Sequence, residues 1–166
     1  VWVSNINGGN EDSSASNNEI TKPISVASGS TTRLPMFEDF TSSTCPPCAG
    51  FNNASYNSFL NANPDNHTSV TYRVNWPGAG DPYYTPEVGT RVGYYGVSGA
   101  PTILVDGKEK AYTSGSSYVS VSQLVGYVTA APNKPAYFSI NAVKNLVGED
   151  LTLNIDITPY LTGAYR

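Results

Sequence analysis

The chain reads as an α/β protein, and three observations carry that reading. An apolar segment at residues 34–40, a helix-compatible stretch at 49–60 and an alternating segment at 69–76 follow one another. That strand–helix–strand order joins a parallel pair by a right-handed crossover. Next, residues 102–105 and 108–112 flank Asp106-Gly107, a dipeptide that turns an antiparallel hairpin, and apolar residues at helical spacing follow over 116–130. After Ala131-Pro132-Asn133-Lys134-Pro135 the period changes to two alternating strands. The expected organisation is therefore an extended N-terminal segment with one or two strands (1–33), the α/β domain (34–131) and a β-hairpin of an incomplete β-sandwich (132–166).

Taken in order, Val1-Trp2-Val3-Ser4-Asn5-Ile6 alternates as one strand. The polar tract from Asn7 to Asn18 has the composition of a flexible linker. Its carboxylate and amide oxygens fit no calcium-loop spacing. Residues 20–26 read as a second strand, placed at an edge because Pro23 cannot donate to a ladder. The cysteine-bearing helix lacks Pro beyond residue 47 and Gly beyond residue 50. It ends in an Asn-rich stretch, and Ser69-Val70-Thr71-Tyr72-Arg73-Val74 then alternates as a half-buried strand. His67 reads as a solvated loop residue rather than a catalytic base.

Residues 76–86 form a rigid aromatic loop and 86–95 a short helix. Tyr83, Tyr84, Tyr94 and Tyr95 have two readings, the lining of a peptide or glycan groove or half-buried packing with wet hydroxyls. Tyr118, Val121, Leu124, Val125 and Val128 give the closing helix its apolar spacing. The last two strands, 136–143 and 151–158, are joined by a turn around Val147-Gly148-Glu149-Asp150. Two strands alone are marginal in water. The missing ones are expected from residues 1–6 or from another molecule, and head-to-tail strand addition would grow a filament.

Of the 166 residues, 39% are hydrophobic and 13% charged, with Ser, Thr, Asn, Gly and Tyr replacing the missing charge. Such a surface suits an extracellular, periplasmic or outer-surface protein. The length suffices for one domain with a sizeable core. A net charge of -4 and scattered basic residues leave no electrostatic footprint for nucleic acid. No stretch approaches the roughly 18 apolar residues of a membrane span. Val1 does not open a leader, so an exported form is expected to have lost it.

The chemistry concentrates in Phe37-Glu38-Asp39-Phe40-Thr41-Ser42-Ser43-Thr44-Cys45-Pro46-Pro47-Cys48. A Cys-x-x-Cys spacing suits a reversible disulfide, half a metal site or covalent haem attachment. No further cysteine completes a zinc set, His67 is the single histidine, and Ala49 rather than His follows Cys48. Redox chemistry remains, with neither metal nor organic cofactor expected. Cys45 at a helix start would have its thiolate favoured by unpaired amides. Pro46 is preset for a first helical turn, and Cys48 one turn on can resolve a mixed disulfide. The competing reading is an inert staple, although closing so small a loop constrains the unfolded chain little.

Asp39-Phe40 followed by Cys45-Pro46-Pro47-Cys48, together with Val97-Ser98-Gly99-Ala100-Pro101-Thr102-Ile103-Leu104-Val105-Asp106-Gly107 about fifty residues later, resembles the thioredoxin superfamily. Within it the chain is most similar to the thioredoxin-like domain of Omp28-related envelope proteins of Bacteroidetes, which couple such a domain to a following β-domain. The resemblance implies a thioredoxin-like fold, a mixed sheet flanked by helices. It implies a catalytic Cys45–Cys48 disulfide and a cis-proline at Pro101 packed beside it. It also implies a substrate-pairing backbone at Ala100, with Thr44, Pro46 and Pro47 at the substrate-facing edge. Asp39 matches the family's buried acid, which moves a proton to or from the resolving cysteine; its plainer reading is a strand-end carboxylate in water. Glu38 should face the opposite side of the strand. Thr44 stands where many relatives place Trp, so their flat apolar docking surface is not expected.

Two function classes follow. One is a secreted or envelope thiol-disulfide oxidoreductase or isomerase whose partners are protein thiols, disulfides or a redox partner. The other is a non-catalytic structural or adhesive extracellular module that self-associates through the N-terminal segment and C-terminal hairpin. A shared fold does not choose between them.

Overall fold

The computed structural model describes residues 25–113 and 117–161. The expected strand at 1–6, the polar tract at 7–18 and residues 20–24 of the second expected strand lie outside them, and Ser25 and Val26 belong to no strand. The described chain divides into two compact units, Thr31–Ala136 and the residues that flank it on both sides.

The first unit is a mixed α/β arrangement. In order it contains β1 (Met36–Thr41), α1 (Pro46–Phe51), α2 (Asn57–Ala62), β2 (Thr68–Arg73), α3 (Pro86–Tyr95), β3 (Thr102–Val105), β4 (Glu109–Thr113) and α4 (Val121–Ala130). The strands form one sheet in the order β2-β1-β3-β4. β1 runs parallel to β2 and antiparallel to β3, and β3 runs antiparallel to β4 with an irregularity between Ile103 and Leu104.

Element ends follow local chemistry more closely than hydrophobic pattern. β1 starts at Met36, two residues later than expected, because Pro35 offers the ladder no N–H; its carbonyl still accepts from the Thr68 amide at 2.9 Å. β2 ends at Arg73, short of the expected residue 76, and a single further bond carries Val74 N to Thr41 O at 2.9 Å. The cysteine helix begins at Pro46 with Cys45 at its N-terminus, as expected, and a π turn over Asn52–Tyr56 lies between α1 and α2. α4 begins at Val121 rather than 116. The Ser120 hydroxyl accepts from Gln123 N at 3.3 Å and the Gln123 side chain accepts from Ser120 N at 2.9 Å, a capping box that fixes the start. Tyr118 therefore precedes the helix. α3 spans Pro86–Tyr95 as expected, opened by Pro86 and closed by Gly96 at φ 60°.

Alternation along β1 and β3 sends side chains to opposite faces. One face carries Phe37, Ile103 and Val105, packed with Phe51, Tyr56 and Phe59 from the cysteine helix and Leu124 from α4. The Phe37 and Phe59 rings meet edge to face at 4.9 Å and Phe51 stacks on Tyr112 at 4.9 Å. Phe40 and Leu104, which alternate to the other face, form a second cluster with Val74, Val97, Ala100 and both cysteines, and half-buried Val88, Val92 and Tyr95 of α3 pack against it.

The second unit is an antiparallel hairpin, β5 (Phe138–Val147) and β6 (Asp150–Pro159). Each strand is ten residues long, longer than the alternation had suggested, and the turn is the pair Gly148-Glu149 with Gly148 at φ 63°. Directly opposed residues share a face. Ile140 faces Ile157, Ala142 faces Ile155 and Leu146 faces Leu151, while Asn141 faces Asp156 and Asn145 faces Thr152. One face is thus apolar and the other polar. Ser28 N and its hydroxyl both donate to Tyr160 O, at 2.7 and 3.1 Å.

Candidate functional site

Cys45 is the N-cap residue of α1 and is joined to Cys48 by a disulfide across a Cα–Cα distance of 5.2 Å. Cys45 Sγ accepts from the Cys48 amide at 3.2 Å and lies 3.6 Å from the Ala100 carbonyl oxygen. Both cysteines are buried, Cys45 with 4% exposure and Cys48 with 1%. The Ala100–Pro101 peptide bond is cis, and Ala100 shares the apolar cluster of the two sulfurs. Pro46, Pro47 and Thr44 lie exposed around the pair. The structure thus brings together Cys45, Cys48, Ala100 and Pro101 from segments more than fifty residues apart in sequence.

The approach to Cys45 is laced to the loop after β2. Thr44 Oγ1 donates to Pro77 O at 2.9 Å, and the Asp81 carboxylate accepts from Ser43 N at 2.6 Å and Tyr83 N at 2.9 Å. Burial opposes the Asp81 charge most, but these amides together with the Ser43 side chain and the Arg73 charge outweigh it and hold the carboxyl below its usual range. Gly80, at φ 81°, is required there, because a Cβ would sit 2.6 Å from the Asn75 carbonyl group. On the helix side, Tyr118 donates to Pro47 O at 3.1 Å.

Asp39 is 2% exposed, so it is not a carboxylate in water. Burial pushes its pKa from 3.8 up to about 7, against a lowering pull from the Arg73 charge. Its Oδ1 has no hydrogen-bond partner among the described residues, and neither do the buried Tyr56 hydroxyl and Asn52 Oδ1. Tyr56 is raised by burial first and by the Asp39 charge second. Asp39 alternates onto the Phe37 face, and an acid held near neutrality there can give or take a proton at physiological pH.

Glu38, on the opposite face, is 1% exposed yet fully engaged. Its Oε1 accepts from Arg91 Nε at 3.0 Å, Arg91 Nη2 at 2.7 Å and the Tyr72 hydroxyl at 3.0 Å, and its Oε2 accepts from the Tyr95 hydroxyl at 2.7 Å. Two adjacent buried carboxylates therefore have opposite conditions, one fully bonded and paired, the other desolvated. Sequence reasoning placed Glu38 on the far face but missed Arg91 and the pairing of Glu38 with Tyr72 and Tyr95. The only available signal was the Arg91/Tyr95 spacing of four on a helix face.

Of the tyrosine set, Tyr94 and Tyr95 meet edge to face at 4.9 Å. Tyr83 and Tyr94 are 80% and 74% exposed, Tyr84 is half-buried, and Tyr95 is spent on Glu38. His67 is half-buried rather than solvated. Its Nδ1 donates to Asn63 O at 2.6 Å and its ring packs against Phe37 and Phe59, with centroids at 5.8 and 5.2 Å. Among the described residues no group of three or more His, Cys, Asp or Glu is placed to hold a metal ion, and no helix is long and apolar enough to cross a membrane.

No family model matches the chain. No curated protein matches it. A crystal structure of a protein from Agrobacterium tumefaciens, from a structural genomics consortium, is similar at 16% identity and a TM-score of 0.47. The similarity covers 75% of this chain and 58% of that one, so the chain spans little more than half that structure's length.

Proposed function

We propose that the first unit is a thioredoxin-like module of a secreted or envelope protein and that Cys45–Cys48 is its redox-active disulfide. The observation that carries this reading is the setting of Cys45 Sγ, which accepts the Cys48 amide at 3.2 Å and touches the Ala100 carbonyl at 3.6 Å beside a cis-proline. After reduction, the same amide stabilises a Cys45 thiolate, and a lowered thiol pKa makes it the attacking sulfur. The disulfide itself fits an oxidising compartment.

In the reducing direction, the Cys45 thiolate attacks one sulfur of a substrate disulfide and expels the other as a thiolate. Cys48 gives up its proton to the expelled substrate thiolate, a transfer that Asp39 assists as the resemblance implies, attacks Cys45 Sγ and releases the second substrate sulfur. Two electrons pass to the substrate and the enzyme disulfide reforms. The oxidising direction is the reverse, the leaving Cys48 thiolate regaining a proton with the assistance of Asp39. Ala100, Pro101, Thr44, Pro46 and Pro47 form the edge on which the substrate chain lies. The test is trapping: the Cys48→Ser variant should accumulate a mixed disulfide through Cys45 with oxidised glutathione, and the Cys45→Ser variant should form far less through Cys48. Equal trapping at both sulfurs, or none, contradicts the assignment.

A second reading, a structural module joined by β-strand addition, is favoured by one observation. The hairpin presents Ile140, Leu146, Leu151, Leu153, Ile155 and Ile157 at 54% exposure or more, and an amphipathic two-stranded ribbon is marginal by itself. Concentration-dependent association by light scattering would support it, and a strict monomer across the same range would exclude it.

A further inference from the structure

We infer that the ion pair between buried Glu38 and half-exposed Arg91 is a positioning clamp that holds the loop carrying Ala100 and Pro101 shut over Cys45. It acts on the disulfide assigned above and so rests on that reading for its purpose, though not for its test.

α3 contributes no buried residue, and its hold on the sheet comes from half-buried Val88, Val92 and Tyr95. Apolar adhesion of this helix is therefore weak, and the polar attachment carries more of the load. Arg91 is fixed from several sides: both Nε and Nη2 donate to Glu38 Oε1, Nη2 donates to the Tyr95 hydroxyl at 2.6 Å, and the guanidinium lies 4.5 Å from the Tyr95 ring centroid. A planar fork held in this way fixes orientation as well as distance. Glu38 in turn ties in β2 through Tyr72 at 3.0 Å.

One residue past α3, Gly96 turns the chain in the left-handed region, and Val97 N returns to Val92 O at 3.0 Å. The loop that follows therefore moves with the helix. Val97 and Ala100 are 7% and 9% exposed in the cluster that contains both sulfurs, and the Ala100 carbonyl stands against Cys45. With Cys45 4% exposed, an incoming sulfur needs this wall to open. Removing the Arg91 guanidinium leaves the buried Glu38 carboxylate without its charged partner, so α3 and its loop should open locally without global unfolding.

The test is the rate at which dithiothreitol reduces the native disulfide, followed by thiol trapping in low urea, with the unfolding midpoint of each variant measured in parallel. Arg91→Met should raise the urea-independent rate by about tenfold or more. Tyr95→Phe should raise it less, and Arg91→Lys should fall between Arg91→Met and the parent. Phe59→Leu, in the cluster on the opposite face, is the stability control and should leave the urea-independent rate near the parent value. If Arg91→Met does not fold, the ordering of Arg91→Lys and Tyr95→Phe against the control carries the test. Rates no higher than the control, or acceleration only in step with global unfolding, would overturn the clamp. Mixed-disulfide trapping in the Cys48→Ser and Cys45→Ser variants decides the redox reading separately, so the two failures are distinguishable.

Discussion

Replacing Asp39 with Asn probes the buried acid through stability as well as catalysis. Burial raises the Asp39 pKa from 3.8 to about 7, so between these values the folded protein keeps a proton that the unfolded chain has released. The folded state then binds more protons, and stability falls as pH rises. The penalty is absent below about pH 4, grows through the window and is complete above about pH 7. A shift of roughly three units is worth about 4 kcal/mol at most, at 1.36 kcal/mol per unit. Asn carries no charge, so the advantage of Asp39→Asn over the parent should grow by about 2 to 4 kcal/mol from pH 4 to pH 8. The comparison across pH cancels the pH-independent effect of burying an amide. Urea unfolding of both oxidised proteins at pH 4, 6 and 8 gives the numbers. A difference that stays flat with pH, or that shrinks as pH rises, would refute the raised pKa and remove Asp39 as a proton carrier near neutrality.

Two further outcomes test the frame that holds the site. Phe51→Ala removes a fully buried ring stacked on Tyr112 and should destabilise the first unit by about 3 to 5 kcal/mol in urea unfolding; a loss below about 1 kcal/mol would mean the core there is not as described. Gly80→Ala forces a Cβ against the Asn75 backbone at φ 81° and should cost about 2 kcal/mol or more. It should also shift the amide resonances of Ser43 and Thr44, and an unperturbed spectrum would contradict the lacing of that loop to the cysteine approach.

Much of the fold was legible where local signals agree. α3 could be placed at both ends because Pro86 opens it and Gly96 closes it, and the β3–β4 turn because Asp106 and Gly107 both take positive φ. α4 was misplaced because Tyr118 continues the apolar spacing, while the capping box between Ser120 and Gln123 decides the start. The cysteine pair and its proline loop were visible as motifs, but burial was not. Nothing local to Asp39 tells desolvation from exposure, since that depends on residues brought in from other elements, Tyr56 among them. Glu38 is matched by Arg91, 53 residues away on another element, and such a pairing exists only once the chain has folded. His67 misled for the same reason, as its neighbours Phe37 and Phe59 come from separate elements.

The central claim is that the Cys45–Cys48 bond exchanges. Its most direct test is the reduction potential, obtained by equilibrating the folded protein with glutathione or dithiothreitol buffers and trapping free thiols at each step. An exchanging pair should give a value within the about -120 to -270 mV span of catalytic dithiols. A value well below about -300 mV would mark a structural disulfide and contradict it.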